Sequence, residues 1–263
     1  MTAKITIRGL RHEYVNPFTR ERVVALDGVD LDVEEGEFLT VVGPSGCGKT
    51  TLLNILAGLL PKTQGTVLLA GRPVTGPGPD RGVVFQEFAI MPWRTVEKNI
   101  AHGLEIQRVP KEERTQIVRR YVELVGLRGF ERKYPHELSG GMKQRVAVAR
   151  TLAANPEVML MDEPFASVDS QTRITLQDEL NAIAQATRKT ILFVTHNVEE
   201  AVFLGDRCCV LSARPGRAKA LVPVRIPRER RRWKLLMSDA TFDAAKEQVF
   251  GLVREEVKVG EEG

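Results

Sequence analysis

The sequence predicts an α/β fold in which helices cover both faces of a mainly parallel sheet. Short uninterrupted runs of apolar residues recur along the chain, and such runs are typical of strands buried on both faces. Helical patterns follow several of them, as in parallel sheets whose strands are joined by helices. The runs lie at residues 38–42, 82–85, 158–161, 191–195 and 208–211. The composition, 43% hydrophobic and 27% charged over 263 residues, is that of a globular protein with a sizeable core.

Two regions depart from this parallel pattern. Residues 29–33 alternate between apolar and polar side chains, and with residues 5–7 and 66–70 they predict an N-terminal antiparallel β subdomain. Between about residues 95 and 154 the pattern is helical, which predicts an α-helical subdomain inserted into the core. One helix there is expected between Pro110 and Gly126, with a single apolar face formed by Ile117, Val118, Tyr121, Val122, Leu124 and Val125.

The predicted organisation is one α/β domain over residues 1–220, with the helical insert at about 95–154, followed by a short helical tail over 221–263. The tail is too short to predict a separate domain. Its segment RERRRWK is interpreted as a solvated charged face, with contact to anionic lipid or nucleic acid as the alternative.

Charge and cysteine content narrow the class of protein. A net charge of +4 is compatible with a nucleotide or a membrane surface and does not require nucleic acid. Three cysteines, Cys47, Cys208 and Cys209, are an odd number, and two are adjacent in a predicted buried strand, so we expect no disulfide framework. The N-terminus has no apolar signal region, and the longest apolar stretch, residues 52–60, is too short to span a bilayer. We therefore expect a cytoplasmic protein whose membrane role depends on a partner.

The segment GPSGCGKT at residues 43–50 matches the G-x-x-x-x-G-K-[ST] pattern of a phosphate-binding P-loop. A predicted strand precedes it and a helical run follows, so a chance glycine-rich turn is the weaker interpretation. Lys49 is expected to reach the β and γ phosphates of a nucleotide, and the Thr50 hydroxyl to bind Mg²⁺. The expected nucleotide-binding residues of this segment are Gly43, Pro44, Ser45, Gly46, Cys47, Gly48, Lys49, Thr50 and Thr51.

Polar residues follow three further buried strands. Asp162 and Glu163 end the apolar run at 158–161, and beside a P-loop they predict a Mg²⁺ carboxylate and a general base for an attacking water. Gln86 and His196 follow two other runs. Ligands of open α/β sheets bind at the carboxyl ends of the strands, so both join the candidate site, although a histidine in such a place is often only a cap.

A second candidate anion site, LSGGMKQR at residues 138–145, begins a predicted helix. Together with GPSGCGKT, Gln86, MDEP, SVD at 167–169 and His196, in this order, it makes the sequence resemble the ATP-binding cassette (ABC) ATPases over about residues 5–215. LSGG is the signature of that family. The N-K-x-D motif expected of a GTPase is not present. The resemblance implies a P-loop NTPase core that hydrolyses ATP with Mg²⁺.

The resemblance also implies a head-to-tail homodimer, in which the LSGG segment of one chain closes over ATP bound to the P-loop of the other. Ser139, Gly140 and Gly141 would then contact the nucleotide across the interface, and Asp169 would lie between the two sites. Gln86 would sense Mg²⁺ and the attacking water, and His196 would hold the γ-phosphate. Relatives stack an aromatic ring on adenine, for which Tyr14 is the first candidate and Phe18 the second. The segment ASVD departs from the GALD of many relatives but keeps the aspartate.

The P-loop thiol of Cys47 lies next to a predicted helix N-terminus, a position that tends to lower the pKa of a thiol. We therefore expect a reactive Cys47 whose modification blocks ATP hydrolysis and which ATP protects.

The segment at residues 86–100 places Phe88, Ile90, Met91 and Trp93 just before the helical insert, where they either fill the core or form a groove for a short permease helix. With SARPGR at 212–217 and the short tail, this segment resembles the nitrate, sulfonate and taurine branch of importers. That branch implies permease subunits, an extracytoplasmic solute-binding protein and a peripheral position at the cytoplasmic face of the inner membrane. The alternatives are an exporter ATPase, a soluble ABC ATPase of DNA repair or translation, and a non-catalytic nucleotide-binding module.

Overall fold

The computed structural model describes the backbone of residues 3–262 and the side chains of residues 3–258. Its main sheet has six strands in the order β10-β9-β3-β8-β7-β6. These strands are β3 (Phe38–Val42), β6 (Arg81–Val84), β7 (Val158–Asp162), β8 (Thr190–Val194), β9 (Arg207–Leu211) and β10 (Ala218–Pro223). All neighbouring pairs are parallel except β9 and β10, so five strands end at one edge.

A second, antiparallel sheet has the order β2-β1-β4-β5. Its strands are β1 (Ala3–Val15), β2 (Arg22–Glu34), β4 (Gln64–Leu69) and β5 (Arg72–Pro73). Its inner face and one face of the main sheet enclose helix α1 (Lys49–Ala57), whose Leu52, Leu53 and Leu56 belong to one apolar core with Val29 and Val41. This core holds the P-loop segment between β3 and α1.

The other face of the main sheet is covered by helices. They are α2 (Val96–Ile106), α3 (Lys111–Leu124), α4 (Gly140–Ala153), α5 (Ser170–Thr187) and α6 (Val198–Leu204), with a short 3-10 turn at Pro135–Glu137 before α4. These helices and the sheet enclose a second apolar core. Val122 and Val125 are buried in it, and Ile117, Val118 and Tyr121 pack against it. Leu124 is exposed, so the prediction that it lies on the buried face of α3 was wrong. At this position the helix surface faces away from α2 and α4.

The tail packs on the main sheet. After a 3-10 turn at Arg228–Arg230 come α7 (Trp233–Leu236) and α8 (Ala240–Glu262), and Trp233, Leu236, Phe242 and Val249 are buried in the second core. The interpretation of RERRRWK as a solvated face was wrong for Arg231 and Trp233, because both side chains are buried. The Arg231 guanidinium donates to the carbonyls of Leu204, Gly205 and Ile226 and to the carboxylate of Asp206.

The predicted fold class is confirmed: a mainly parallel sheet with helices, an antiparallel N-terminal sheet and a run of helices between β6 and β7. The five strands predicted from apolar runs agree with β3, β6, β7, β8 and β9 to within one residue at each end, whereas β1 and β2 extend well beyond the predicted residues 5–7 and 29–33. The assignment of domain bounds at 220 and 221 stays a prediction.

Candidate active site

The P-loop wraps the amino end of α1 and holds its lysine inside the fold. The Lys49 side chain is buried, and its ammonium donates to the carbonyls of Gly43 and Pro44 at 2.9 Å each. The third donor of the ammonium has Sγ of Cys47 at 3.9 Å, so the head group is fixed at the loop. Gly48 has φ 100°, a left-handed conformation that glycine adopts without strain. The loop therefore presents a fixed positive charge and the free N–H groups of a helix N-terminus in one place.

A cavity of about 290 Å³ lies above this loop. It is lined by Tyr14, Val23, Ala25, Ser45, Gly46, Gly48, Lys49, Thr50, Thr51, Glu163 and Arg214. Tyr14 is partly exposed, and its hydroxyl lies 3.1 Å from the hydroxyl of Thr51. Phe18 is almost fully exposed and does not line the cavity. Of the two candidate aromatic residues, the structure therefore brings only Tyr14 to the P-loop.

Arg214 is a cavity residue that the sequence analysis did not assign to the site. It lies in the loop after β9, where the N–H of Asp27 donates to the carbonyl of Gly216. A Cβ at Gly216 would lie 2.1 Å from the carbonyl oxygen of Cys47, so this loop packs directly against the P-loop. In the sequence, SARPGR indicates only a resemblance to one branch of importers. Its Pro-Gly pair after a buried strand signalled a turn at the same sheet edge, but only the folded packing brings Arg214 to the cavity.

The carboxylate of Asp162, at the end of β7, accepts a hydrogen bond from the Thr50 hydroxyl at 3.2 Å. Burial raises the pKa of Asp162 above its ordinary value of 3.8; the charge of Glu163 adds to this effect and the hydrogen bond from Thr50 opposes it. The positive charge of Lys49 also acts to lower this pKa but does not offset the burial. A divalent cation would supply further positive charge.

Glu163 and His196 form a pair at the next position along the edge. Glu163 has φ 44°, and its N–H donates to the carbonyl of Val194 on the neighbouring strand. Its carboxylate oxygen lies 2.7 Å from Nδ1 of His196, while the rest of the imidazole is mostly exposed. The positive φ turns the Glu163 side chain towards both the cavity and His196. Left-handed conformations of this kind in non-glycine residues are found preferentially at functional sites.

Gln86 lies two residues beyond Val84, whose partner across the sheet is Met161. The same edge of the sheet therefore carries Gln86, Asp162 and Glu163. The exposed side chain of Gln86 does not line the P-loop cavity, so the structure places it at the edge without bringing it to the nucleotide position.

A metal ion would find oxygen ligands here and only a few of them. The Thr50 hydroxyl and the Asp162 carboxylate are the hard donors that Mg²⁺ prefers, and this ion usually keeps several waters and phosphate oxygens as its other ligands. Within residues 3–258, no group of three or more histidine, cysteine or acidic side chains could hold a metal ion by itself. The donor set thus fits Mg²⁺ bound with a nucleotide.

The signature segment lies outside the cavity. Ser139 caps α4 by accepting from the N–H of Met142 at 3.3 Å, and Ser139 and Gly140 are exposed. Gly141 is buried against Thr172 of α5. Asp169 caps α5 by accepting from the N–H of Thr172, and backbone hydrogen bonding, from Thr172 first, lowers its pKa. None of these residues lines the P-loop cavity of its own chain.

The expected lowering of the pKa of Cys47 was wrong. Its thiol is buried, and desolvation raises its pKa above 9.0 despite the opposing charge of Lys49. The side chain belongs to the core beneath the antiparallel sheet, where Leu26 and Leu211 also lie, and its sulfur is 3.9 Å from Nζ of Lys49. The loop position alone suggested a helix N-terminus, but burial outweighs it.

Comparison with known proteins agrees with these features. A family model described as ABC transporter matches residues 26–166. An uncharacterized ABC transporter ATP-binding protein of Methanocaldococcus jannaschii is 52% identical over 98% of this chain and 94% of its own length. The taurine import ATP-binding protein TauB of Escherichia coli is 45% identical over 88% of this chain and 92% of its own length.

Two solved structures share the fold. A dimeric ABC cassette in a post-hydrolysis state bound to ADP and Pi matches with a TM-score of 0.73 at 30% identity. Another dimeric structure, of a bacterial ABC transporter cassette, matches with a TM-score of 0.74 at 31% identity. Each match covers 85% of this chain and 100% of the other. Within residues 3–262 of the present chain, no helix combines the length and the hydrophobicity needed to cross a membrane.

Proposed function

Because this chain belongs to the ABC transporter family of ATP-binding proteins, we propose that it is the ATP-hydrolysing subunit of an importer. In this proposal it works as a head-to-tail homodimer that couples ATP-driven closure and hydrolysis to solute uptake through permease subunits. The observation that supports hydrolysis most directly is the Glu163–His196 pair, 2.7 Å apart, beside the P-loop cavity and the Thr50–Asp162 bond.

The residues in and around the cavity divide the work in this proposal. Lys49 binds the β and γ phosphates, Tyr14 offers a ring face to adenine, and Thr50 and Asp162 would hold Mg²⁺, which would neutralise phosphate charge. Glu163 accepts the proton of the attacking water, because its carboxylate is turned into the cavity. His196 fixes that carboxylate through Nδ1 and leaves its exposed edge for the γ-phosphate. Gln86 reaches the γ-phosphate and Mg²⁺ only when its loop moves inward.

Charge balance explains why the dimer would form around ATP. ATP carries roughly four negative charges, of which Mg²⁺ and Lys49 offset about three and one helix N-terminus about half. The exposed N-terminus of α4, at Ser139 and Gly140, would supply about the missing half-charge from the partner. Asp169 would lie between the two sites in the closed dimer. Both solved relatives described above are dimers, which supports this arrangement.

The proposed permease contact lies on the segment after Gln86. Phe88 and Ile90 are partly buried against the helical core, so for these two residues core filling is the better of the two alternatives. Trp93 is 73% exposed. Buried Asn99 fixes the loop that carries it, by accepting from the N–H of Met91 and donating to the carbonyls of Met91, Arg94 and Thr95. A rigid loop with one large exposed aromatic side chain suits docking of a short helix.

A cleft of about 640 Å³ lies between α2 and α3. It adjoins the loop of Trp93, because Arg94 in that loop pairs with Glu105, which lines the cleft. The cleft is larger than the P-loop cavity but has none of the acid–base groups described above, so we assign it to permease contact rather than to chemistry.

The similarity to TauB supports import of a small anion of the sulfonate type, with a solute-binding protein outside the membrane. The chain would then lie at the cytoplasmic face of the inner membrane, without nucleic acid as a partner. The alternatives remain an exporter ATPase and a soluble ABC ATPase.

Replacing Glu163 by glutamine tests the hydrolytic role. Glu163→Gln keeps the shape of the side chain but removes its basicity, so we expect ATP turnover to fall about 10²- to 10⁴-fold while ATP binding persists. The variant should accumulate as an ATP-bound dimer, measured by size-exclusion chromatography with light scattering. Glu247→Gln, an exposed change on α8, is the matched control and should turn over ATP normally. Wild-type turnover by Glu163→Gln would contradict the assignment of the base.

Direction of transport needs a separate test. In inverted and right-side-out vesicles containing the chain with its permease, ATP on the side of this chain should drive taurine or a related sulfonate towards that side. Movement of solute away from that side would contradict import and favour the exporter alternative.

Trp93→Ala should leave the basal ATP turnover of the chain unchanged and abolish its stimulation by the permease.

A further inference from the structure

A line of buried polar side chains connects the C-terminal tail to the loop that carries His196. The indole N–H of Trp233 donates to Oε1 of Gln177 at 2.8 Å, and Nε2 of Gln177 donates to Oε1 of Glu200 at 2.6 Å. The other oxygen of Glu200 accepts from the hydroxyl of Thr195, the residue before His196. All four side chains are at least nine-tenths buried. We call these four residues, Trp233, Gln177, Glu200 and Thr195, the tail relay.

We propose that Glu200 is a positioning residue for His196 and that the tail, through Trp233 and Gln177, sets its position. This inference rests on the proposed function, in which His196 meets the γ-phosphate. It assigns to the tail a part in ATP hydrolysis.

The indole of Trp233 sets the direction of the tail relay. An indole N–H can only donate, so Oε1 of Gln177 accepts from Trp233 and the amide nitrogen of Gln177 donates to Glu200. Gln177 can present its amide nitrogen to Glu200 only if its oxygen faces a donor, and the indole N–H of Trp233 is that donor. Loss of the indole N–H would leave the Gln177 oxygen buried without a partner and free the amide to rotate.

Both neighbours of His196 in the chain are connected to Glu200, Thr195 through the carboxylate and Asn197 through the Thr195 hydroxyl and the backbone N–H of Glu200. Thr195 donates its hydroxyl to Glu200 and accepts from the N–H of Asn197 at 3.0 Å. The side chain of Asn197 in turn accepts from the N–H of Glu200 and caps α6. The imidazole of His196 is mostly exposed and, within residues 3–258, its side chain bonds only to Glu163. The backbone on either side therefore determines where the imidazole points, and Glu200 holds that backbone.

The tail end of the relay is held by packing that does not depend on its hydrogen bond. The Trp233 ring stacks on Phe203 with centroids 4.5 Å apart and meets Phe242 edge-on at 6.1 Å. Its backbone N–H donates to Asp178. A phenylalanine at position 233 would keep an aromatic ring between Phe203 and Phe242 and lose the indole N–H. The substitution therefore tests the hydrogen bond of the relay separately from the contribution of the ring to the stability of the tail.

Trp233→Phe in the full-length chain tests the proposal. We expect kcat for ATP to fall about 3- to 10-fold, the worth of one buried hydrogen bond transmitted to a positioned group. Affinity for ATP should fall by a similar factor while affinity for ADP is unchanged, because only ATP has the γ-phosphate that His196 contacts. Phe250→Tyr, an aromatic change at an exposed position of the same tail, is the matched control and should leave all three values unchanged.

Glu200→Gln provides a second variant, since an amide can accept from only one of the two donors and should produce the same selective loss for ATP. Equal loss of ATP and ADP affinity in Trp233→Phe would mean that the tail only stabilises the fold, and unchanged kinetics would mean that the relay is idle; either result overturns the inference. Absence of hydrolysis in the wild-type chain would instead contradict the proposed function. The comparison of ATP with ADP binding would still decide whether the relay reaches His196.

Discussion

The two glycine-rich segments of this chain are built in different ways, although both begin a helix. In the P-loop, the chain itself requires glycine: a Cβ at Gly48 would lie 2.7 Å from the Leu26 side chain and 2.9 Å from the carbonyl oxygen of Ala25. In the signature segment, a Cβ at Gly140 would meet nothing within 4 Å. Gly48 is thus enclosed by its own fold, whereas Gly140 is open, although its neighbour Gly141 packs against Thr172.

This difference indicates where the requirement for each glycine originates. Alanine is about 1 kcal/mol better than glycine in a helix, and Gly140 is the first residue of α4, so the fold alone would favour replacing it. An open position that nevertheless lacks a side chain suits close approach of another molecule. The comparison supports the proposal that the signature segment serves the nucleotide of a partner chain, while the P-loop serves its own.

The largest expected effect comes from placing a charge on the open segment. Gly140→Asp should leave folding and ADP binding unchanged, because the new side chain enters open space and an acidic residue suits a helix N-terminus. It should lower ATP turnover by at least about 10²-fold, because the carboxylate would face the triphosphate of the partner. Steady-state ATP hydrolysis and ADP titration measure the two effects. Gly251→Asp, also at an exposed helical glycine with open space, is the control.

Mixing two inactive variants sharpens this test. Lys49→Ala disables the P-loop and leaves the signature intact, whereas Gly140→Asp does the reverse. A mixed dimer then contains one site with both halves intact, so an equal mixture should regain up to about a quarter of the wild-type rate. No recovery, under conditions where mixed dimers are detected, would mean that both segments serve the same chain.

An effect on stability rather than on ATP turnover is expected where the tail supports the strand that leads into the P-loop. Asp206 accepts from the N–H of Phe38 at the start of β3, and Arg228 and Arg231 both donate to the same carboxylate. Arg231→Ala removes a buried guanidinium and leaves Asp206 and three carbonyls less well satisfied. We expect the free energy of unfolding at pH 7 to fall by about 3–5 kcal/mol, measured by urea denaturation. The exposed neighbour Arg230→Ala should change it little.

The pH dependence of this loss has a definite sign. Burial acts to raise the pKa of Asp206. The hydrogen bonds from Arg228 and from the N–H of Phe38 lower it, as do the positive charges of Arg228 and Arg231. Together these effects outweigh burial and hold the pKa below 3.8. The carboxylate therefore contributes its full stability above pH 3.8, and this stability is lost as the pH falls through the lower folded value. The difference between Arg231→Ala and wild type should shrink in that acid range. A difference that stayed constant would show that the carbonyl contacts alone account for it.

The sequence predicted those parts of the molecule that depend on local pattern. Uninterrupted apolar runs identified the buried strands, since both faces of such strands must be apolar. Because parallel strands end at one edge, it also followed that Asp162, Glu163, Gln86 and His196 share that edge. The chemistry assigned to each of them stays a prediction.

Features that depend on distant contacts were not predictable in this way. Arg214 reaches the cavity because its loop packs under the P-loop, and Arg231 is buried because Asp206 and three carbonyls surround it. Arginine is normally exposed, so composition favoured the wrong interpretation of RERRRWK. The tail relay joins residues from three separate segments, and no spacing in the sequence indicates it.

The smallest expected effect concerns Cys47, where the enclosed character of the P-loop can be measured directly. All three cysteines are free and buried, and burial raises the pKa of Cys208 to about 11 and of Cys209 to about 12. The pKa of Cys47 is raised by the same cause, so little thiolate is present at pH 7 at any of the three. N-ethylmaleimide should therefore label the folded chain very slowly, and ATP should add no protection, whereas the chain in urea should take up label at all three sites. Mass spectrometry after proteolysis identifies the labelled residue. Rapid labelling of Cys47 alone, prevented by ATP, would show that the P-loop opens in solution and would weaken the contrast with the signature segment.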